Sequence, residues 1–365
     1  MRNGYMTGGG SIQYPDEIVF ANMPQLVQLV NFRSTEARVQ IAGVGSFAWR
    51  VVNNKATLNL QAFVVAAFGD MRGVKADDAA KRSRSISVQI RNVRDEVAFS
   101  FSMVAIWGAL EPYERTAHLG AYAFDEEQQQ WRRTLRWFSN FPTAFETIAA
   151  SGGGWQVSND GGAYGPQVAI GTTGILQINP AQVFAGMVAT GDWLVEVTPN
   201  DINVFDATFD ATFTNVIALY QQVLHVIKDT RKCGHFLRWV DRQGLLQSYL
   251  FDKGTESVKA SEGEALHVET EQAGIYYPNI VRSERQGIEK SRKVCASLVP
   301  EEEARVVQSI GTAAICDLFV GYSDAGVALW LPVNVKAGTL TISERGGLQD
   351  VEVTIEVPTA DGQKL

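Results

Sequence analysis

The stretch Gly234–Phe251, GHFLRWVDRQGLLQSYLF, decides the fold. Two runs of aromatic, β-branched and long apolar residues flank Asp241-Arg242-Gln243-Gly244, where Gly244 supplies the positive φ that closes a short hairpin loop. The reading is a β-hairpin. Strand side chains alternate, so Phe236, Arg238 and Val240 share one face of the first arm, and His235, Leu237 and Trp239 share the other. Leu245, Gln247, Tyr249 and Phe251 form one face of the return arm. A hairpin alone is only marginally stable, so further strands must cover it.

Working outward, the flanking text is β-like. EIVFANMPQLVQLVNF, ARVQIAGVGSFAWRVV, ATLNLQAFVVAAFGD, SISVQIRNV and EVAFSFSMVAIWG follow one another between Glu17 and Gly108. Period-two alternation is plain in Arg38–Ile41 and Ser85–Ile90, and Gly, Asn, Asp and Pro punctuate the runs. Trp131, Arg133, Leu135 and Trp137 fall on one face of a strand that ends before Pro142. Ser151–Pro166, SGGGWQVSNDGGAYGP, reads as a long exposed loop or hairpin tip, with strands expected at Gln167–Ile170, Gly174–Ile178 and Trp193–Thr198.

Phe205, Phe209 and Phe213 recur every fourth residue, a spacing that suits a strand or a helix, while residues 222–228 read as a strand. After the hairpin, Lys253–Gly274 is polar and acidic with a short strand at His267–Val268, Tyr276–Asn279 reads as a turn, and Ile288–Val299 reads as a strand. Pro300 followed by Glu301, Glu302 and Glu303 announces a helix, because proline fits a first turn and carboxylates there complement the helix dipole. Ala304, Val307 and Ile310 supply its apolar side and Gly311 ends it.

The fold class expected is therefore mainly β, with antiparallel β-sandwich domains and one short C-terminal α-helix at about 300–311. Residues 1–16, Gly-rich and polar, read as a flexible N-terminal arm, 17–215 as a β-sandwich domain, and 216–365 as a second β-rich domain with hairpin 234–251 and the helix.

Composition narrows function. The 365 residues are 45% hydrophobic and 20% charged, which is ordinary for a globular chain large enough for two domains. A net charge of -8 and the lack of a Lys/Arg run argue against a nucleic-acid partner, and Lys81–Arg84 (KRSR) reads as a solvated turn. The first residues lack a signal-peptide apolar core, and the run near Ala62–Phe68 is far short of the roughly 20 residues that span a bilayer, so no membrane insertion is expected. Cys233, Cys295 and Cys316 lack CxxC spacing. His118, His225, His235 and His267 form no metal-binding motif, so no metal and no cofactor is expected. Asp125-Glu126-Glu127 reads as a solvated loop, and no G-x-S-x-G elbow or phosphate loop is present, so the chain is expected not to be an enzyme. Trp155 and Tyr164, set in the Gly/Asn-rich loop, are the candidate contacts to a ligand or partner.

Three stretches carry a resemblance. CGHFLRWVDRQGLLQSYLF (Cys233–Phe251) resembles the signature G-x-Y-L-R-W-I-D-R-x-G-x-x-x-x-x-L-F of tail-tip proteins encoded by phages and prophages of Bacteroides-like bacteria. WRRTLRWFSNFPTAF (Trp131–Phe145) is similar to their R-T-x-R-x-F-x-x-F-P element. ICDLFVGYSDAGVALWLPVNVKAGTLTISERGGLQDVEVTIEVP (Ile315–Pro358) resembles their ending, with its W-x-P-V-N motif and final strand pair. The first hundred residues carry no such likeness. The resemblance implies a distal-tail or baseplate component with no catalytic residues, forming a ring of its own copies around the tail tube, with tube and hub proteins as neighbours. It also implies a place in the virion tail, assembled in the bacterial host cytoplasm. The alternative is a receptor- or carbohydrate-binding module that uses residues 151–166 on a host-surface glycan.

Overall fold

The computed structural model describes residues 1–110, 123–127, 130–149, 151–159, 168–180, 204–209, 222–252, 254–272, 275–336 and 347–358. The chain is mainly β and divides into two compact units, Met1–Arg231 with Val240–Ser248, and Lys232–Trp239 with Tyr249–Leu365.

The first unit begins with β1 (Arg2–Tyr5), β2 (Ser11–Tyr14), β3 (Ile18–Phe20), β4 (Leu26–Val30), β5 (Glu36–Ile41), β6 (Gly45–Arg50), β7 (Lys55–Asn59), α1 (Gln61–Phe68), α2 (Ala79–Arg82), β8 (Ser83–Arg91) and β9 (Val97–Ile106). They build two sheets, β1-β2-β4-β7 and β3-β9-β8-β5-β6. Ile12, Val27, Leu29 and Leu58 of the first share one core with Val39, Ile41, Val88, Ile90 and Met103 of the second. That is the sandwich which alternation predicts, each buried aliphatic contributing about 1.5–3 kcal/mol.

Two local readings differ here. Residues 1–16, expected as a loose arm, form the β1–β2 hairpin instead. Met6 and Ile12 are buried, the Arg2 guanidinium lies 4.7 Å from the centre of the Tyr14 ring, and the Met1 amino group pairs with Asp16 at 3.0 Å. The run QAFVVAAF, expected as a strand, is helix α1, which buries Val64 and Phe68 in the same core. An eight-residue apolar run has no period that separates strand from helix.

The rest of the unit contains β10 (Ala123–Asp125), β11 (Gln130–Phe138), β12 (Phe145–Ala149), β13 (Gly154–Asn159), β14 (Val168–Ala169), β15 (Gly174–Ile178), β16 (Val204–Phe209) and β17 (Gln222–Asp229). The sheet β10-β11-β17-β16-β13-β14 and the pair β12-β15 share a core of Leu135, Trp137, Phe145, Trp155, Val157, Leu224 and Val226. On β11, Arg133, Leu135 and Trp137 are buried and Arg132, Thr134 and Arg136 are half-buried, as the alternation requires. Residues 222–228 are strand, and so is the described part of the phenylalanine repeat. The strand expected at 193–198 lies outside the described residues. Among the described residues of this unit, strand pairing is antiparallel except between β3 and β9 and between β11 and β17, which run parallel.

The second unit holds most of β18 (His235–Val240) and part of β19 (Leu246–Phe251), then β20 (Glu256–Gln272), β21 (Ile275–Pro300), α3 (Glu301–Gln308), β22 (Ile315–Tyr322), β23 (Ala328–Pro332), β24 (Asn334–Val335) and β25 (Leu348–Val357). Its sheets are β19-β18-β22-β23 and β20-β21-β25-β24. Helix α3 forms where Pro300 and the three glutamates place it, Arg305 pairs with Glu301 at 2.7 Å, and Ala304, Val307 and Ile310 are buried.

Between Glu256 and Pro300 the expected short strands and turn are instead one long ribbon, β20 against β21. Tyr277 still pairs with Thr270 and Ile280 with Val268, so Pro278 and Asn279 fall at a register irregularity. Proline is tolerated in a strand at a bulge, where no ladder donor is needed.

Candidate functional site

The loop of the β18–β19 hairpin is tied by Asp241, whose carboxylate accepts Leu245 N–H at 3.0 Å and Gln247 Nε2–H at 2.6 Å. Asp241 N–H donates to the Leu245 carbonyl and Gly244 N–H to the Asp241 carbonyl. Gly244 has φ +85, and a Cβ there would collide with the Trp107 carbonyl, so only glycine meets both demands.

Beside this loop, Arg82 and Glu146 form a fully buried ion pair, with Nη2–Oε1 at 2.6 Å and Nη1–Oε2 at 2.9 Å. Arg82 also donates to the carbonyls of Gly244 and Ala76, and Glu146 accepts Leu246 N–H at 2.7 Å. Arg133 donates to Gln247 Oε1. Burial pushes the Glu146 and Asp241 carboxyls above the ordinary range, opposed at Glu146 by the Arg82 hydrogen bonds and charge, and at Asp241 by the Leu245 N–H. The KRSR stretch is therefore not a wholly solvated turn: Lys81 and Arg84 are exposed, but Arg82 is buried by its partner 64 positions away. With no exposed surface on either side chain, this network holds backbone in place and offers no seat to a substrate.

A second polar cluster lies in the other unit. Arg238 on β18 donates Nε–H to Asp317 Oδ2 on β22 at 3.0 Å, and its guanidinium carbon stands 3.8 Å from the ring centre of Trp330 on β23. Phe236 and Phe319 pack on the same Trp330 ring, at 6.0 and 5.5 Å, and Tyr322 stands 5.0 Å from Phe319. The neighbouring Cys316 thiol is pushed up to about 12 by burial and by the Asp317 charge, which leaves it a packed, unreactive group. The Arg238 guanidinium keeps its charge, and with Asp317 and Trp330 it ties β18, β22 and β23 together.

The aromatic row leads to the surface. Val320, Tyr322, Val327 and Leu329, all on the β22–β23 hairpin, are 45 to 62% exposed. Between Asp317 and Lys336 the sequence holds one charge, Asp324. A cluster of large exposed apolar residues on one hairpin is what an association surface offers.

The chain matches no family model and no curated protein.

Trp155, the first of the two candidate contacts, is not in a loop. It lies on β13, pairs in register with Phe209 and Val168, and is 8% exposed in the core with Trp137 and Val157. Trp155 and Val157 alternate with Gln156 and Ser158, a strand pattern masked by the surrounding glycines. Tyr164 lies outside the described residues. Asp125 ends β10, and Glu126 and Glu127 are exposed. His225 is on β17, His235 on β18 and His267 on β20, while His118 lies outside the described residues. Among the described residues no three His, Cys, Asp or Glu side chains are grouped to hold a metal ion, and no helix is long and apolar enough to cross a membrane. An open depression of about 540 Å³ is lined, among the described residues, by Pro300, Glu301, Glu302, Gly347 and Leu348. Sequence reasoning missed Arg82, Glu146 and the β22–β23 surface. Only the charge-poor run Leu318–Val335 signalled the last of these.

Proposed function

We propose that the chain is a structural protein of a phage tail tip, a distal-tail or baseplate component that forms a ring around the tail tube. Its work is mechanical and adhesive. One observation carries the reading: residues from two of the stretches that resemble tail-tip proteins, far apart in sequence, meet in one cluster. Arg238 of the LRW motif pairs with Asp317 of ICDL and stacks on Trp330 of LWLP, in adjacent strands of one sheet. Motif residues that clamp strands belong to a scaffold whose shape is its function. The exposed apolar hairpin beside them supports a protein that joins others.

The test is mass spectrometry of purified particles from a strain that encodes the chain, with electron microscopy of tails labelled through an epitope on it. Tail-tip labelling and a fixed ratio of the chain to tube protein are expected. Its absence from particles that carry complete tails overturns the proposal.

A further inference from the structure

The turn and the arms of the β18–β19 hairpin are anchored by separate sets of residues. Val240–Ser248 belongs to the first compact unit, whereas Lys232–Trp239 and the chain from Tyr249 onward belong to the second. Within the first unit, Ala109 N–H donates to the Arg242 carbonyl at 2.9 Å, Arg82 to the Gly244 carbonyl, and Leu246 N–H to Glu146 at 2.7 Å. Leu245 shares a buried core with Ile18, Phe20, Ile106 and Ile148. Within the second unit, Arg238 donates to Asp317 at 3.0 Å and lies over the Trp330 ring, and Trp239 Nε1–H donates to Ser309 Oγ at 2.9 Å.

The two ends differ in what they determine. A hairpin's turn fixes which residues of its arms lie opposite each other, and a slip of one residue sends every side chain to the other face. Here Asp241 N–H bonds the Leu245 carbonyl at 2.9 Å and Gly244 N–H the Asp241 carbonyl at 3.0 Å, so the turn is closed in one register. That register brings Arg238 to Asp317 and, on the opposite face, Trp239 to Ser309. Displaced by one position, β18 would leave the buried Asp317 without its cation, at the cost of a stranded charge. β18 is hydrogen-bonded to both β19 and β22, so an error in its register reaches the β22–β23 pair.

We infer that the first unit acts as a register clamp on the second: the seated loop Asp241–Gln247 sets the pairing of β18, and through it the order of β22 and the exposed apolar β22–β23 surface. The clamp goes beyond the tail-tip proposal and does not depend on it. Thermodynamic coupling is reciprocal, so loosening the arms also loosens the loop.

Hydrogen exchange of the full chain under native conditions, read by mass spectrometry, tests the clamp with three variants. Glu146→Gln weakens the anchor of the loop in the first unit, and Asp317→Asn weakens the partner of the arm in the second. Val88→Ala is the control, because it opens a cavity in a core cluster that contains no residue of the hairpin. Glu146→Gln is expected to speed exchange of Ile315–Tyr322 about tenfold or more, and Asp317→Asn to do the same at Leu245 and Leu246. Val88→Ala leaves both segments at the parental rate. Should one of the first two variants fail to fold, the other decides. Parental exchange at Ile315–Tyr322 in folded Glu146→Gln overturns the clamp, as does parental exchange at Leu245 and Leu246 in folded Asp317→Asn. Equal acceleration by Val88→Ala overturns it too, because the effect is then a general loss of stability.

Discussion

Arg82 and Glu146, 64 positions apart, form a two-point ion pair with no solvent-exposed surface on either side chain. The pair also grips the hairpin loop, since Arg82 donates to the Gly244 carbonyl and Glu146 accepts the Leu246 N–H. Two buried charges are costly to desolvate, and removing one partner strands the other.

Glu146→Gln keeps the shape and deletes the charge that Arg82 faces. The expected loss is about 3–5 kcal/mol of unfolding free energy. Arg82→Met combined with Glu146→Leu recovers a large part of it, because neither charge is then buried. Urea unfolding midpoints of the three proteins decide the matter, and a single variant as stable as the parent would show that the pair does not hold the loop.

Asp241 gives a pH dependence whose sign is fixed. Burial raises its carboxyl in the folded state, so the native chain keeps a proton that the unfolded chain has lost. The contribution is full below the ordinary carboxylate value and is lost as pH rises through the raised folded value. Asn at this position cannot titrate. The stability of the parent minus that of Asp241→Asn should therefore fall as pH is raised from about 4, the ordinary carboxylate range, toward neutrality. A difference that is flat with pH, measured by denaturant unfolding, contradicts the assignment.

How much of this was legible beforehand follows from the range of each interaction. Hairpin 234–251 is visible because its loop is closed within five residues, by Asp241 with Leu245 and by Gly244 at φ +85. Helix α3 is visible because Pro300, Glu301–Glu303 and the apolar stripe lie within three turns of one another. Arg82 and Glu146 are not, because nothing local to either marks a partner that the fold supplies. Trp155 misled for a related reason. Gly152–Gly154 and the Asn/Gly run after it are turn signals, and they hide a six-residue strand whose core is assembled from β11, β12 and β17.

The hairpin loop depends on close backbone approach. Gly244→Ala brings a Cβ against the Trp107 carbonyl and places an L-residue at positive φ. Destabilisation of about 2 kcal/mol or more is expected from conformation and collision together. Gly321, at φ +141 with open space around it, is the control, since substitution there meets strain but no collision. Equal losses at the two positions, by thermal or denaturant unfolding, would remove the backbone contact from the explanation.

Arg238 tests the motif cluster. Lysine keeps the charge but not the planar group that lies over Trp330 and points Nε–H at Asp317. Arg238→Lys should cost about 1–3 kcal/mol and alter the near-UV signal of Trp330, while Arg238→Met, which deprives buried Asp317 of its cation, should cost about 3–5 kcal/mol. The reverse order would mean that stacking on Trp330, which Met partly replaces, outweighs the ion pair.

Trp155 separates a core residue from a contact residue. Its ring sits among Trp137, Val157 and Leu224, so Trp155→Ala should lower stability by about 3–5 kcal/mol through lost burial and the cavity left behind. Trp155→Phe, which keeps an aromatic ring and leaves a smaller void, should recover much of that loss. A surface contact behaves otherwise: truncation removes binding and leaves the unfolding midpoint unchanged. If Trp155→Ala unfolds at the parental midpoint, the core that β13 shares with β11, β12 and β17 is not what holds this part of the first unit together.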